Sequence, residues 1–503
     1  MASATMRGAM RESAATAVER IPWWPLFGFL ALAAVSSLLG PEVLFGALVG
    51  FTAVTSVVTR PQLGVAIILF MLMVQYGARG TERQGVGGGL SSLVPTGVGL
   101  LSVNNVLGLF LAGLLVRRLS ASRNWLFLNT PTIRVLLAVT AVLVVSAFTS
   151  GISVADQQAV GVVSTTAEDP SRMLASRALF VVLFAFFMEE PRDLLLIVGL
   201  FVVLSVITAW SGSMAGLSNE GRSQTATWRA GGTAVLIEST QNPNRLGMIA
   251  TLALVYIWEY SEGLRSRLFR LISLGVVLML VVTVFLTASR GGLIGLVFAG
   301  MMIFVRRSGG SGRWLYGFVA IAVAAVLVTE IVPPEALDRI TNIPGVSSQS
   351  DVNSVGRGSI ERREYTYGIG LQIWEKAPFI GVGPGNWSYV RFLTDPVRSV
   401  AAAHSSYLQA LAEGGVIGLI LFLLMFYYTM RDIVHCERDP AIMKRAAREG
   451  LDWVLVATRI NLAAFLVFSL FSDLWDLIFS YFIIAIAAVL IQRYKLAPAL
   501  EPA

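Results

Sequence analysis

Three basic residues stand out for the chemistry that they could do. Arg229 lies in "WRAGGTAVLIESTQNPN", Arg290 lies in "TASRGGLIG", and His404 opens "HSSYLQALAEGGVIGLILFL". A guanidinium group stays charged at every relevant pH, and its N–H fork matches the oxygens of a phosphate or carboxylate. A neutral imidazole can accept the proton of a hydroxyl group. Together, these residue types can bind an anion and activate a hydroxyl.

The composition indicates the elements that must position these residues. Hydrophobic residues make up 55% of the 503 residues and charged residues only 14%, whereas a soluble domain has about a quarter charged residues. Apolar runs of about 17 to 22 residues recur and match a hydrocarbon core of ~30 Å. We therefore predict one all-α, polytopic integral-membrane domain over residues 1–503, with about 14 spans. The predicted spans lie near 21–40, 42–58, 61–77, 97–116, 132–150, 174–188, 192–211, 244–261, 268–288, 290–306, 314–332, 406–428, 452–472 and 474–491.

The positive charges predict the orientation of the bundle. Arginine and lysine accumulate in short cytoplasmic loops, and alternation from a cytoplasmic N terminus places every dense basic cluster on that side. Both termini are then cytoplasmic, while Arg229, Arg290 and His404 all fall on the outer face. The net charge of +7 and the pI of about 9.7 thus reflect topology and anionic lipid rather than nucleic acid. The clusters are Arg7/Arg11/Arg20, Arg117/Arg118/Arg123, Arg265/Arg267/Arg270, Arg306/Arg307/Arg313, Arg431/Arg438/Lys444/Arg445/Arg448 and Arg493/Lys495.

Each of the three outer residues also has an ordinary structural interpretation. Arg229 is either functional or a solvated loop arginine, and His404 is either a catalyst or an interfacial histidine. Arg290 separates two apolar runs with almost no loop, where a charge costs up to ~2.5 to 3.5 kcal/mol unless it reaches water or a partner.

The longest loop, 333–405, is predicted to be an extracytoplasmic lid. Residues 359–377 can form an amphipathic helix at the membrane interface. Arg357, Arg362 and Arg363 then either hold an anionic substrate or pair with nearby glutamates and lipid headgroups. The apolar face predicted to point toward lipid or the bundle consists of Ile360, Tyr367, Leu371 and Trp374.

Three acidic residues near the outer face have open roles. Glu413 lies inside the twelfth predicted span and either pairs with an arginine of the site or faces a wet cavity. Asp473 and Asp476 in "SDLWD" either orient a basic residue or solvate a turn. No Asp-x-Asp pair occurs in the outer loops, and the two histidines fall on opposite sides of the membrane, so we expect neither a metal site nor another cofactor.

In chain order, the segments "QNPN", "TASRGG", "APFIGVGPGNW" and "HSSYLQALAEGG" resemble the O-antigen ligase and Wzy-type O-antigen polymerase superfamily, over residues 225–430. The resemblance implies a GT-C-like, metal-independent glycosyltransferase of the bacterial inner membrane. Its donor would be a polyprenyl-diphosphate-linked glycan, its acceptor a second glycan or glycolipid, and its active site would lie on the periplasmic face.

Residue by residue, the resemblance implies that Arg229, Arg290 and His404 line the active site. Tyr407 of the His-x-x-Tyr-Leu stretch and Glu413 are predicted to contact substrate, with Arg357, Arg362 and Arg363. Because the run from Gly232-Thr233 to Asn242-Pro243-Asn244 is longer than the family pattern, Arg222 and Arg245 remain alternatives to Arg229.

Three functions stay open at this level. A polymerase that joins repeat units of O-antigen, exopolysaccharide or capsule is favoured by the predicted span number and the long outer loop. A ligase that moves a finished glycan to lipid A core or protein would share the same residues. A flippase or transporter predicts charges at the bilayer midplane and broken spans in matching halves.

Overall fold

A computed structural model of the chain describes residues 61–69, 103–122, 126–159, 170–188, 190–217, 243–307, 354–395, 403–475 and 478–496. Several predicted features fall outside these residues, among them the spans near 21–40, 42–58 and 314–332, and the segment that contains Arg222 and Arg229. Throughout the described part of the chain, every regular element is helical, as the composition predicted.

The helices are numbered in chain order. They are α1 (61–69), α2 (Val103–Ser122), α3 (Pro131–Ser150), α4 (Val154–Ala159), α5 (Pro170–Phe187), α6 (Pro191–Leu217), α7 (Pro243–Gly263), α8 (Arg267–Leu286), α9 (Arg290–Arg307), α10 (Ser354–Lys376), α11 (Trp387–Thr394), α12 (Ser406–Arg438), α13 (Pro440–Glu449), α14 (Asp452–Phe468) and α15 (Ile478–Ile491). A 3-10 turn (Leu126–Asn129) precedes α3, and a π turn (Gln492–Leu496) follows α15.

Proline sets the start of many of these helices. It is the first residue of α3, α5, α6, α7 and α13. Proline is well suited to this position because its φ is already helical and its missing N–H would have no partner in the first turn. The prolines therefore mark where four apolar helices and the amphipathic helix α13 begin.

Five described helical segments are long and apolar enough to cross a membrane. They lie in α3, α6, α8, α12 and α15, and the bent pair of α13 and α14, with an angle of 113° between the two helices, passes the same criterion as a sixth. The protein is thus a polytopic helical membrane protein. The prediction of about 14 spans extends over ranges that the structure does not describe.

Polar contacts define two ends of the bundle. At the first, called the loop end, the turn at Ser289 meets the start of α7 through Asn244, and the start of α12 meets the residues after α14. At the second, called the basic end, Arg306 at the end of α9 pairs with Glu259 at the end of α7, with Nη1 and Oε2 2.5 Å apart. Consecutive helices from α7 to α9 therefore alternate in direction, as predicted for spans.

Helix α15 lies at the centre of the bundle, and every one of its residues is buried. Its Phe482 packs against Phe184 of α5 and Phe201 of α6, and Phe201 also contacts Tyr256 of α7 edge-on. Lipid tails are as apolar as the helix surfaces, so helices in a membrane associate largely through close packing. Large aromatic rings contribute to that packing here.

Helix α12 is broken at Gly415, which has φ 64° and ψ −170°. The backbone of the loop after α10 lies against this break, since Val382 donates to Ala412 O at 3.0 Å and Val416 donates to Pro378 O at 2.9 Å. Non-helical backbone is tolerated at membrane depth only where protein or a wet cavity satisfies its polar groups. The predicted span near 406–428 lies within α12, which is long and apolar enough to cross a membrane. The sequence did not indicate the break, because a distant loop supplies its backbone partners.

Helix α10 begins five residues earlier and ends one residue earlier than the predicted amphipathic helix, 359–377. Its inner face carries Ile369 and Ile373, which are buried, while Tyr367 and Leu371 are exposed. The exposed pair belongs to the predicted apolar face. The face toward the bundle is therefore the one that carries Ile369 and Ile373, each two positions after a residue of the exposed pair.

Candidate functional site

Arg290 is the first residue of α9 and follows a tight turn at the loop end. Ala288 in this turn has a positive φ of 47°. Ser289 caps the new helix, because its hydroxyl accepts from Gly292 N at 2.9 Å. The same hydroxyl donates to Asn244 Oδ1 at 2.6 Å. The "SRGG" and "NPN" segments are thus joined by one serine, which fixes where the Arg290 side chain leaves the backbone.

The two glycines after Arg290 allow close packing. A Cβ added to Gly291 would lie 2.8 Å from Phe471 Cβ, and one added to Gly292 would lie 3.2 Å from the Ser289 side chain. The residues that follow α14 therefore pass directly over the start of α9. A larger residue at Gly291 would push the Arg290 turn away from this segment.

Arg363 of α10 lies near Arg290, although the two are far apart in sequence. The two guanidinium groups are within range of mutual electrostatic repulsion, and both residues are half-buried. Two like charges repel each other, and more strongly where water is partly excluded. An anion with several negative oxygens between them would replace this repulsion with attraction.

His404 lies in a strained turn just before α12. Its φ of 53° is positive, which is uncommon for a residue with a side chain and is often found at functional sites. The next two residues fix the turn. Ser405 caps α12 by accepting from Leu408 N at 3.4 Å, and Ser406 N donates to Ser469 O at 2.8 Å. The histidine is therefore held by the chain on its C-terminal side.

The segment 469–475, called the bridging loop, contacts the turns that carry Arg290 and His404. Toward His404, Ser406 Oγ donates to Ser472 O at 2.8 Å and accepts from Leu474 N at 2.9 Å. Toward Arg290, Phe471 packs over Gly291. The turns that carry the predicted arginine and histidine are thus connected through one short loop.

Arg245, one of the alternatives to Arg229, also lies at the bridging loop. Its Nη2 is 3.1 Å from Asp473 Oδ2 and 3.1 Å from the Asp473 carbonyl oxygen. Of the two roles considered for Asp473, the structure shows the one in which it orients a basic residue. The sequence could not select this pair, because the two residues are 228 positions apart.

Two predicted substrate-binding residues have structural contacts. The Tyr407 hydroxyl donates to Leu466 O at 2.8 Å. The Glu413 carboxylate is buried and accepts from Trp475 Nε1 at 3.2 Å, from Gln409 Nε2 at 3.3 Å and from Trp387 N at 3.4 Å. Their roles in substrate binding remain predictions.

The remaining predicted residues are not placed by the structure. Arg229 and Arg222 lie outside the described residues, and the side chains of Arg357 and Arg362 in α10 lie outside them as well. Within the described ranges, no three His, Cys, Asp or Glu side chains are grouped so as to hold a metal ion. Metal independence stays a prediction.

Sequence reasoning missed the serines that connect the site, namely Ser289, Ser406 and Ser472. Ser289 and Ser406 each lie within two residues of Arg290 or His404, and Ser472 precedes Asp473. A small polar residue beside a candidate catalytic residue at the end of an apolar run is the signal that would have indicated them.

Comparison with known proteins found one family match. No curated protein matches the chain. Residues 274–423 match the family model Wzy_C, described as O-Antigen ligase. The matched range begins inside α8, contains Arg290, Arg363 and His404, and ends inside α12 after the Gly415 break. The segment that builds most of the candidate site is therefore a Wzy_C O-antigen ligase domain.

Proposed function

We propose that the protein is a membrane glycosyltransferase that polymerises cell-surface polysaccharide repeat units from polyprenyl-diphosphate-linked oligosaccharides. The observation that carries the proposal is the arrangement at the loop end. There, Arg290 lies near Arg363, and the bridging loop joins the Arg290 turn to the His404 turn within a matched O-antigen ligase domain. The arginine side can bind an anion, and the histidine side can activate a hydroxyl.

The arginines would act on the donor. Breaking the bond between the sugar and a polyprenyl diphosphate leaves a diphosphate with additional negative charge. Preplaced guanidinium groups stabilise that charge as it develops, and such groups are worth ~10² to 10³ in rate each. Arg290 and Arg363 are the described residues that we propose for this role, with Arg229, Arg357 and Arg362 as further candidates.

His404 would act on the acceptor. The acceptor hydroxyl oxygen forms a bond to the donor sugar carbon while the bond from that carbon to the diphosphate oxygen breaks. The hydroxyl proton passes to the neutral imidazole, and polyprenyl diphosphate leaves with the bonding electrons. General base catalysis of this kind contributes typically ~10² to 10⁴-fold.

The proposed topology puts this chemistry on the periplasmic face. The basic end carries Arg306, Arg445, Arg493 and Lys495 in its ion pairs, and positive charge favours the cytoplasmic side. The loop end, with His404 and Arg290, would then face the periplasm, where the lipid-linked glycan is used.

A ligase is the second candidate, because the matched family model carries the description O-Antigen ligase. It would use the same donor but transfer the glycan to lipid A core or to a protein. Polymerisation is placed first on the number of predicted spans and the length of the 333–405 loop.

The deciding experiment incubates the purified protein with a lipid-linked oligosaccharide and separates the products by size. A ladder spaced by one repeat unit supports the polymerase. A single transfer that requires an added acceptor supports the ligase. Movement of the glycan across vesicles without a new glycosidic bond would overturn both and favour a transporter. The His404→Ala variant is the negative control, because any product that it forms does not depend on the proposed general base.

A further inference from the structure

The ion pair between Arg245 and Asp473 lies where the two halves of the site are joined. Both side chains are mostly buried, with relative exposures of 17% and 15%. Arg245 Nη2 contacts the Asp473 carboxylate and the Asp473 carbonyl oxygen, each at 3.1 Å. One arginine thus holds both the side chain and the backbone of the bridging loop.

The residues next to this pair contact the turns that carry Arg290 and His404. Asn244, beside Arg245, accepts from Ser289, which caps the helix that Arg290 begins. On the other side, the carbonyl of Ser472 and the N–H of Leu474 both bond Ser406 Oγ. The pair therefore lies in one continuous series of contacts from the Arg290 turn to the His404 turn.

We propose that Arg245 and Asp473 are positioning residues that set the distance between Arg290 and His404. The inference rests on the proposed function, since it concerns the alignment of an anion-binding half and a hydroxyl-activating half. A misplacement of about 1 Å in an active site can cost ~10²-fold in rate. Weakening the ion pair between Arg245 and Asp473 should lower kcat. The Arg290 half should still bind the donor, and the His404 half should still bind the acceptor.

The competing interpretation is that Arg245 binds the diphosphate directly, in the role considered for Arg229. The two interpretations differ in donor affinity. A direct phosphate ligand contributes to binding of the ground state, so that its loss weakens the donor affinity. A positioning residue acts through Arg290 and His404, so that its loss lowers kcat and leaves the donor affinity unchanged.

The test measures kcat, donor affinity and thermal stability for Asp473→Asn, Arg245→Gln, Arg245→Lys and the double variant Arg245→Gln/Asp473→Asn. Asp473→Asn removes the charge but keeps the carbonyl that Arg245 also contacts, so the fold should be retained. We expect kcat to fall about 10- to 100-fold in Asp473→Asn and Arg245→Gln, with the donor Kd unchanged. Arg245→Lys should recover part of the loss, and the double variant should be no worse than the single variants because both remove the same interaction.

The matched control is Glu449→Gln at the basic end. Glu449 accepts from Arg493 at 2.5 Å and from Tyr494 at 2.7 Å, so its loss also breaks a partly buried ion pair, but far from the loop end. This variant should keep the parent kcat. A similar loss of kcat in the control, additive losses in the double variant, unchanged kcat in Asp473→Asn, or a weakened donor Kd in Arg245→Gln would each overturn the inference. A parent protein that forms no glycosidic product would instead refute the proposed function, on which the inference depends.

Discussion

Substitution of Gly415 by alanine tests the broken helix on which the loop end is built. A Cβ at this position would lie 2.3 Å from the carbonyl carbon and oxygen of Phe379 and 2.5 Å from Ile380 N. Ordinary contacts begin near 3.4 Å, so the loop backbone would have to move by roughly 1 Å. The strained backbone itself costs ~1 to 3 kcal/mol for a residue other than glycine.

The movement would also break the hydrogen bonds that replace the helical ones at the break. Val416 N donates to Pro378 O at 2.9 Å and Ile417 N donates to Phe379 O at 3.1 Å. A buried polar group that loses its partner costs ~1 to 3 kcal/mol. We therefore expect Gly415→Ala to destabilise the protein by at least about 3 kcal/mol.

The assay is thermal unfolding of the purified protein in detergent, together with transfer activity. Gly300→Ala in α9 is the control, since a Cβ there meets no heavy atom within 4 Å and alanine is favoured in helices by about 1 kcal/mol. The control should be as stable as the parent or more stable. If Gly415→Ala melted with the parent and kept full activity, the break in α12 and its pairing with the 378–383 loop would be refuted.

Three further predictions concern topology, metal and the donor. A reporter after Arg445 should be cytoplasmic and one near Asn353 periplasmic; both on the same side would contradict the shared outer site. EDTA should leave transfer intact, and a loss restored by Mg²⁺ or Mn²⁺ would mean that a metal neutralises the diphosphate. Arg363→Gln should weaken the donor affinity about 10- to 100-fold, by the ~1.5 to 3 kcal/mol of a hydrogen bond to a charged group. Lys376→Gln, an exposed change in the same helix, should not.

The sequence was informative where a local pattern determines the structure. The short "SRGG" break predicted that Arg290 would lie between two apolar runs, and the structure places it at the first residue of α9. Because apolar runs alternate across a membrane, the same pattern put Arg290 and His404 at one end of the bundle. These features depend on neighbours within a few residues or on a simple alternation.

The sequence was uninformative where a distant segment decides the structure. The break at Gly415 depends on backbone partners in the 378–383 loop, so its apolar run resembles any uninterrupted span. Likewise, Glu413 accepts from Trp475 and Trp387 N, and no periodicity predicts such partners. The approach of Arg363 to Arg290 also depends on how α10 packs, which a single sequence does not encode in a local pattern.

The most direct test of the central claim is donor affinity measured beside turnover for variants of Arg290 and His404. His404→Ala should abolish transfer and leave the donor affinity nearly unchanged, because a general base acts on the acceptor proton in the transition state. Arg290→Ala should weaken both, since the diphosphate is charged in the ground state and more so as it leaves. Arg290→Lys should recover only part, because a point charge replaces a bidentate fork. If His404→Ala lost donor affinity as severely as Arg290→Ala, or retained full transfer, the histidine would be structural and the proposed division of roles would be contradicted.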